Sequence, residues 1–220
     1  MLSVHSSTER GYPFRERNRK VTPNNTPRAL SVFLVESMNP SDIYKGMLEG
    51  EAIVQVLKLL RVAAVYKTVI DKKRLVKALS ETSKGGFSVF HLSCHANTDD
   101  FGLASGDTVT WTELASLAQD KLRNTVLCLS ACEAGNIAIA NALKRQKCHP
   151  CYIVGPEGKP DYAQACVAWS VFYHCLAAGR GIEQTQMRRA LDRMNDAVDS
   201  DFLYRRWTRK MYRRYPRKKR

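Results

Sequence analysis

Apolar and polar positions form blocks along the chain that alternate between strand-like and helix-like patterns. Short apolar runs rich in β-branched residues, typical of strands buried on both faces of a parallel sheet, occupy 30–35, 62–70, 87–94, 125–130 and 151–154. Segments with helical spacing or helix-start signals occupy 39–60, 71–82, 110–121, 134–145, 161–178 and 182–198. This alternation predicts an α/β domain of three layers, with a mostly parallel central sheet and helices on both faces.

The flanking segments differ in composition from this block. Residues 1–29 are polar, charged and proline-containing without apolar periodicity, so we expect a flexible leader. The folded domain is predicted over 30–200, and a basic tail over 201–220.

The formal net charge of +14 belongs to the ends of the chain. Residues 205–220 contain ten Lys or Arg and no acid, whereas residues 31–204 contain nineteen basic and nineteen acidic residues. A neutral body argues against a purely nucleic-acid-binding protein. The tail interleaves aromatic and basic residues, which would suit nucleic acid or an anionic membrane surface; a solvated chain end is the alternative.

The cysteines and the first twenty residues indicate the cellular compartment of the protein. The seven cysteines are odd in number and lie mostly in apolar runs, and the first twenty residues contain no apolar core of a secretory signal. We therefore expect reduced thiols and a cytoplasmic protein. The uncharged stretch 162–179 reaches the length of a membrane span, but Gln164, Ser170 and His174 favour a buried helix.

Two predicted strands end in reactive residue types, the first in His95 and the second in Cys132. Because the carboxyl ends of parallel strands share one edge, both side chains should lie on the same rim. A thiol there can attack a carbonyl carbon while the histidine takes and returns the proton. The backbone N–H groups of Ala96 and Cys132 are candidate oxyanion donors, and a helix starting near Ala134 would favour the thiolate.

Other interpretations of these residues stay open. Cys132 could be a small buried apolar residue and His95 a core histidine, although its position at a strand end favours a functional role. His91, Cys94 and His95 could bind a metal, and Cys148-His-Pro-Cys151 is a C-x-x-C motif. A single such motif without a second pair at zinc spacing is weak, so no metal and no cofactor are predicted.

The order of His and Cys on successive strands resembles the caspase-like peptidases. Leu129-Ser-Ala-Cys-Glu-Ala-Gly135 closely resembles the Leu-Ser-Ala-Cys-Glu-Thr-Gly motif of CHAT domains, and Ser93-Cys-His-Ala96 resembles their Ser/Gly-His-Gly segment. Residues 168–179 and 187–191 are similar to the closing helices of the family. The resemblance, over about 31–195, implies a caspase-like sandwich and a cysteine endopeptidase with His95 and Cys132 as its dyad.

The same resemblance implies a protein substrate, no cofactor, and a function in bacterial defence or programmed cell death, for example on a gasdermin or another effector. We further expect the peptidase to be held inactive until an activating partner protein or a cleavage event orders its loops. The main alternative is a catalytically silent caspase-like module whose basic tail binds nucleic acid or membrane. A basic nucleic-acid-binding protein is the third interpretation.

Three positions depart from the family pattern. Ala96 replaces a usual Gly but keeps its N–H. Gly155-Pro-Glu-Gly-Lys-Pro160 replaces a segment that usually contains Trp. Ser130, which we assign to the substrate pocket, stands where related basic-specific peptidases have Asp. The sequence therefore leaves the cleavage specificity open.

Overall fold

The structure, a computed structural model, describes residues 29–179 and 181–216. In chain order its elements are β1 (Ser31–Ser37), α1 (Pro40–Tyr44), α2 (Glu49–Leu59), β2 (Ala63–Thr68), α3 (Lys72–Lys84), β3 (Val89–Cys94), β4 (Asp100–Gly102), β5 (Thr108–Thr110), α4 (Trp111–Leu117), β6 (Val126–Ser130), α5 (Ile137–Arg145), β7 (Tyr152–Pro156), α6 (Tyr162–Ala177), α7 (Gln184–Asp196), β8 (Phe202–Trp207) and β9 (Tyr212–Tyr215).

The central sheet has seven strands in the order β2-β1-β3-β6-β7-β8-β9. The first five strands in that order are parallel to one another, and β8 and β9 pair antiparallel at one edge. The register of β3 and β6 places Ser93 opposite Ser130. Because these neighbours are parallel, the loops that follow them leave the sheet side by side, which sets the position of the candidate site.

Helices cover both faces of the sheet and bury one apolar cluster on each side. One cluster contains Leu79 of α3, Leu114 of α4 and Leu143 of α5. The other contains Leu57 of α2 and residues of α6 and α7, with Trp169, Phe172, Met187 and Leu191 fully buried. These two layers of helices around a mostly parallel sheet confirm the predicted three-layer α/β sandwich.

Local details differ from the sequence prediction in three places. The helix expected over 39–60 is divided into α1 and α2, and Gly46, with a φ of +69°, lies in the break. A two-stranded hairpin, β4 and β5, lies between the predicted strand at 87–94 and the predicted helix at 110–121, where no strand was predicted. Helix α5 begins at Ile137 rather than near Ala134.

The basic segment at 201–220, predicted as a tail, is largely part of the folded domain. Its residues 202–207 and 212–215 form β8 and β9 and extend the central sheet. Phe202 and Tyr204 pack in the apolar cluster of α6 and α7, and Leu203 is buried on the opposite face of β8, which lies between β7 and β9. Residues 217–220 and the predicted leader, apart from Ala29, lie outside the described residues.

Helix α6 covers most of the uncharged stretch seen in the sequence. It spans sixteen residues and buries Trp169, Phe172 and Tyr173 against the sheet. In the described part of the chain, no helix is both long and apolar enough to cross a membrane.

Candidate active site

His95 and Cys132 follow the adjacent strands β3 and β6 and line the same cavity, whose volume is about 280 Å³. The side chain of His95 is half exposed, and Cys132 is partly buried. The structure thus brings the two sequence-predicted residues to one rim of the sheet. Eleven residues line the cavity: Met38, Glu49, Cys94, His95, Ser130, Ala131, Cys132, Pro160, Asp161, Tyr162 and Ala165.

A tight turn presents Cys132 to this cavity. Glu133, directly after the thiol, has a φ of +58° and donates its N–H to the carbonyl of Gly158 at 2.8 Å. Gly135 donates its N–H to the carbonyl of Pro156 at 2.7 Å. A Cβ atom at Gly135 would lie 2.7 Å from that same oxygen, so only glycine allows the turn to approach β7 this closely.

A buried arginine of β8 also contacts this turn. Arg205 donates from Nε to the carbonyl of Asn136 at 3.2 Å and from Nη2 to the carbonyl of Gly135 at 3.1 Å. Arg205 is 7% exposed, and this burial lowers the pKa of its guanidinium from the usual value. The segment predicted as a tail therefore supports the turn that carries Cys132. No pattern in the sequence indicated this role of Arg205.

The electrostatics of Cys132 differ from the expectation of a thiolate stabilised by a helix N-terminus. The first N–H groups of α5 are satisfied by the side chain of Asn136, which accepts from Ala138 at 2.7 Å and Ile139 at 3.4 Å. Burial is the largest cause that raises the pKa of the Cys132 thiol, and the nearby charge of Lys159 opposes it. The thiol is therefore protonated at neutral pH and needs a base to become nucleophilic.

The imidazole of His95 is oriented by groups that meet its Nε2 atom. The carboxylate Oδ2 of Asp42 lies 2.6 Å from Nε2, the hydroxyl of Tyr162 at 2.9 Å and the amide of Asn39 at 3.3 Å. The shortest of these contacts is to an ionised acceptor, which favours a proton on Nε2. In that tautomer Nδ1 carries the lone pair and is the nitrogen that can accept the proton of a thiol.

Asp42 and Tyr162 belong to the site but were not among the residues predicted from the sequence. Asp42 lies in α1, and its helix is capped by the side chain of Asn39 at 2.9 Å. The hydroxyl of Tyr162, at the start of α6, donates to Asp42 at 2.9 Å. The hydrogen bond from His95 is the main cause that lowers the pKa of the Asp42 carboxyl. The acidic residue after β1 was seen in the sequence only as part of a helix start.

The two candidate oxyanion donors are free of competing backbone acceptors in the described part of the chain. Ala96 forms a bridge with Phe101. The hydrogen bonds around that bridge run from Gly102 to His95 and from Asn97 to the carbonyl of Asp100, so they do not use the Ala96 N–H. The N–H of Cys132 likewise donates to no described backbone carbonyl. Neither N–H group is therefore committed to a backbone carbonyl among the described residues.

Ser130, assigned to the substrate pocket from the sequence, lines this cavity, and its hydroxyl is already hydrogen-bonded. It donates to the carboxylate of Glu49, with oxygen distances of 2.6 and 2.8 Å. Ser93 of β3 donates to the same carboxylate at 3.1 Å. Glu49 begins α2 and is 6% exposed. No sequence motif marked it, because the residues it contacts are far away along the chain.

The other residues considered in the sequence have different surroundings. His91 is fully buried, and its Nδ1 lies 2.7 Å from the hydroxyl of Tyr173. Burial lowers the pKa of His91 to about 3, as expected for a neutral core histidine. Cys128 is also fully buried. Among residues 29–179 and 181–216, no three His, Cys, Asp or Glu side chains group as metal ligands would.

Comparisons with known proteins bear on the fold. No family model matches the sequence, and no curated protein matches it significantly. The complex of the pro- and mature domains of RgpB from Porphyromonas gingivalis matches with a TM-score of 0.52 and 14% identity, over 78% of this chain and 46% of that chain. A secreted C11 cysteine protease from Bacteroides thetaiotaomicron, iotapain, matches with a TM-score of 0.53 and 11% identity, over 82% of this chain and 66% of that one.

This chain therefore spans less than two thirds of the length of each of these two neighbours. At such low identities the likeness concerns the backbone architecture rather than the chemistry of the site. The order of the strands, the two helical layers and these matches together identify the architecture: the chain has the caspase-like α/β fold.

Proposed function

We propose that this protein is a cysteine endopeptidase in which Cys132 is the nucleophile and His95 the general base. The observation that carries the proposal is the shared cavity lined by both side chains at the ends of β3 and β6. The orientation of His95 by Asp42 supports it, because the tautomer leaves a basic Nδ1 for the thiol.

The proposed reaction follows from these groups. His95 takes the thiol proton as the sulfur of Cys132 attacks the carbonyl carbon of a peptide bond, which forms a tetrahedral oxyanion. The N–H groups of Ala96 and Cys132 stabilise that oxyanion. The imidazolium then protonates the leaving amine as the C–N bond breaks. Water, activated by His95, hydrolyses the thioester and restores the thiol.

The CHAT resemblance of the motifs at 93–96 and 129–135 supports two finer parts of the proposal, a protein substrate and a function in bacterial defence or programmed cell death. The cysteine usage supports a cytoplasmic location. Activation by a partner protein or a cleavage event is a further part of the hypothesis. The composition of 201–220 supports a binding role for its basic residues, toward nucleic acid or an anionic membrane. Arg206 and Arg213, paired across β8 and β9, are both exposed, and Arg206 donates a hydrogen bond to Gln184.

One observation favours the second candidate, a catalytically silent caspase-like interaction module. In the described part of the chain no hydrogen bond joins the thiol of Cys132 to the imidazole of His95, and burial keeps that thiol protonated by raising its pKa. A module that works only by binding would keep the fold without an activated nucleophile.

Covalent labelling separates the two candidates. We expect a panel of peptidyl acyloxymethyl ketones, differing in the residue next to the warhead, to modify Cys132 of the full chain selectively. Mass-spectrometric mapping of all seven cysteines measures that selectivity. His95→Ala should reduce the labelling rate at Cys132 by on the order of 10²-fold, since general-base assistance contributes at least that much. Labelling spread over several cysteines, or unaffected by His95→Ala, would favour the silent module.

We also expect Asp42→Ala to lower kcat for peptide hydrolysis by about 10²-fold, because the imidazole loses the acceptor that fixes its tautomer. KM should change little, since Asp42 acts through His95 and is a positioning residue. Asp42→Glu should recover part of the rate. Ser41→Ala, an exposed position in the same helix, is the control. A change confined to KM would mean that Asp42 contacts the substrate instead.

A further inference from the structure

A buried carboxylate lies in the wall of the candidate active-site cavity and is not explained by the proposed chemistry. Glu49, at the start of α2, is 6% exposed and lines the cavity together with His95 and Cys132. Its oxygens accept from the hydroxyls of Ser130 and Ser93. Within residues 29–179 and 181–216, it forms no ion pair with a basic side chain.

A purely structural role would account for only part of this arrangement. The two serine contacts do link α2 to β3 and β6. A group that served only this link would be equally satisfied as an amide, and it would not need to face the cavity. Burial raises the pKa of Glu49 to about 8, with the charge of Glu36 adding to the shift. The cavity thus contains a carboxyl group that an entering cation would readily ionise.

The remaining walls of the cavity fit a long aliphatic side chain. Met38, Ala131 and Ala165 provide apolar surface. Asp161 also lines the cavity, but it is exposed and its carboxyl caps α6 by accepting from the N–H of Gln164 at 2.8 Å. None of the described lining residues is Lys or Arg. Such a cavity suits an aliphatic stem that ends in a positive charge, since the stem packs on the apolar walls and the charge reaches Glu49.

We propose that Glu49 is the specificity residue of this site, and that it binds the Lys or Arg side chain of the substrate residue whose carbonyl carbon Cys132 attacks. This inference rests on the proposed peptidase function and names its substrate class. Ser130, predicted from the sequence to shape the pocket, then holds the recognising carboxylate in place without supplying a charge itself.

Binding to a catalytically inert protein tests the inference without requiring turnover. The full chain with Cys132→Ala is titrated calorimetrically with two acetylated peptide amides that differ at one residue, arginine or its neutral isostere citrulline. We expect the arginine peptide to bind at least about 30-fold more tightly, since an unpaired buried charge partner is costly. Adding Glu49→Gln should reduce the ratio to about threefold or less.

Two control variants test whether the preference for arginine depends on Glu49 rather than on another carboxylate. Glu51→Gln removes an exposed carboxylate of the same helix, and Asp161→Asn removes the other carboxyl of the cavity while retaining a residue that caps α6. Both should keep most of the preference for arginine. Thermal unfolding of the Glu49→Gln protein checks that the fold is retained.

The outcomes separate this inference from the proposed function. Equal binding of the two peptides, no measurable binding of the arginine peptide, or a preference that survives Glu49→Gln would each overturn the role of Glu49. Selective, His95-dependent labelling of Cys132 combined with equal binding would leave the peptidase proposal standing and remove the substrate class. A Glu49-dependent preference without labelling of Cys132 would support the cation site and remove the peptidase.

Discussion

Cys132→Ala should lower the rate of peptide hydrolysis by on the order of 10⁴-fold or more, to the level of buffer blanks. The expectation follows from the covalent role of the thiol, because no acyl-enzyme forms without it. The backbone N–H groups proposed as oxyanion donors can then assist only the direct attack of water on the peptide bond. A fluorogenic peptide library measured with the full chain provides the rate. Circular dichroism and the unfolding midpoint establish that the variant is folded.

The same experiment has an internal test of the dyad. His95→Ala should cost nearly as much as Cys132→Ala, and the double variant should be no slower than either single one, since groups that act as a unit are strongly non-additive. Cys175→Ala, at another partly buried thiol, should retain the wild-type rate. Hydrolysis that persists in Cys132→Ala would assign the activity to another residue or to a contaminant.

The parts of the fold that local patterns encode were predicted correctly. The five parallel strands are short apolar runs, and the helices between them carry clear apolar spacing, so period and length alone identify them. The meeting of His95 and Cys132 was predictable for the same reason. Each follows a buried strand, and adjacent parallel strands bring their carboxyl ends together.

The parts that depend on distant contacts were not predicted. His95 meets Asp42 across 53 positions of the sequence, and Ser130 meets Glu49 across 81. Neither acid lies in a recognisable motif, because hydrogen bonds between distant elements produce no periodic pattern in the sequence. A buried glutamate at the start of an amphipathic helix is indistinguishable, by sequence, from the exposed acids that favour helix N-termini.

The basic C-terminal segment illustrates how composition can conceal a strand. Its charges suggested a tail, yet Tyr204 and Arg205 are buried in β8. The guanidinium of Arg205 is accommodated because two backbone carbonyls of the Cys132 turn accept its hydrogen bonds. Interleaved aromatic residues within two short runs were the available signal for strands. The high charge obscured it.

Glu49 should also make folding stability depend on pH, a property that can be measured without any substrate. Its folded-state pKa is about 8 against an ordinary value of 4.5, so stability is fully present below the lower value and is lost as the pH rises toward the higher one. Glu49→Gln removes this titration. The free energy of unfolding of the variant, minus that of the wild type, should therefore increase by about 1.4 kcal/mol per pH unit between pH 5 and 7.5.

Urea unfolding of both proteins at several pH values in this range measures that difference. Subtraction cancels the groups whose titration does not depend on Glu49. Glu36 and Cys94 interact with Glu49 through their charges and leave a residual contribution to the difference. Glu51 is exposed on the same helix, so the free energy of unfolding of Glu51→Gln should have the same pH dependence as that of the wild type. If the free energy of unfolding of Glu49→Gln also varies with pH as that of the wild type does, the Glu49 carboxylate is already ionised in the folded protein. The cavity would then have to hold a compensating cation or more water than the packing around Ser93 and Ser130 provides.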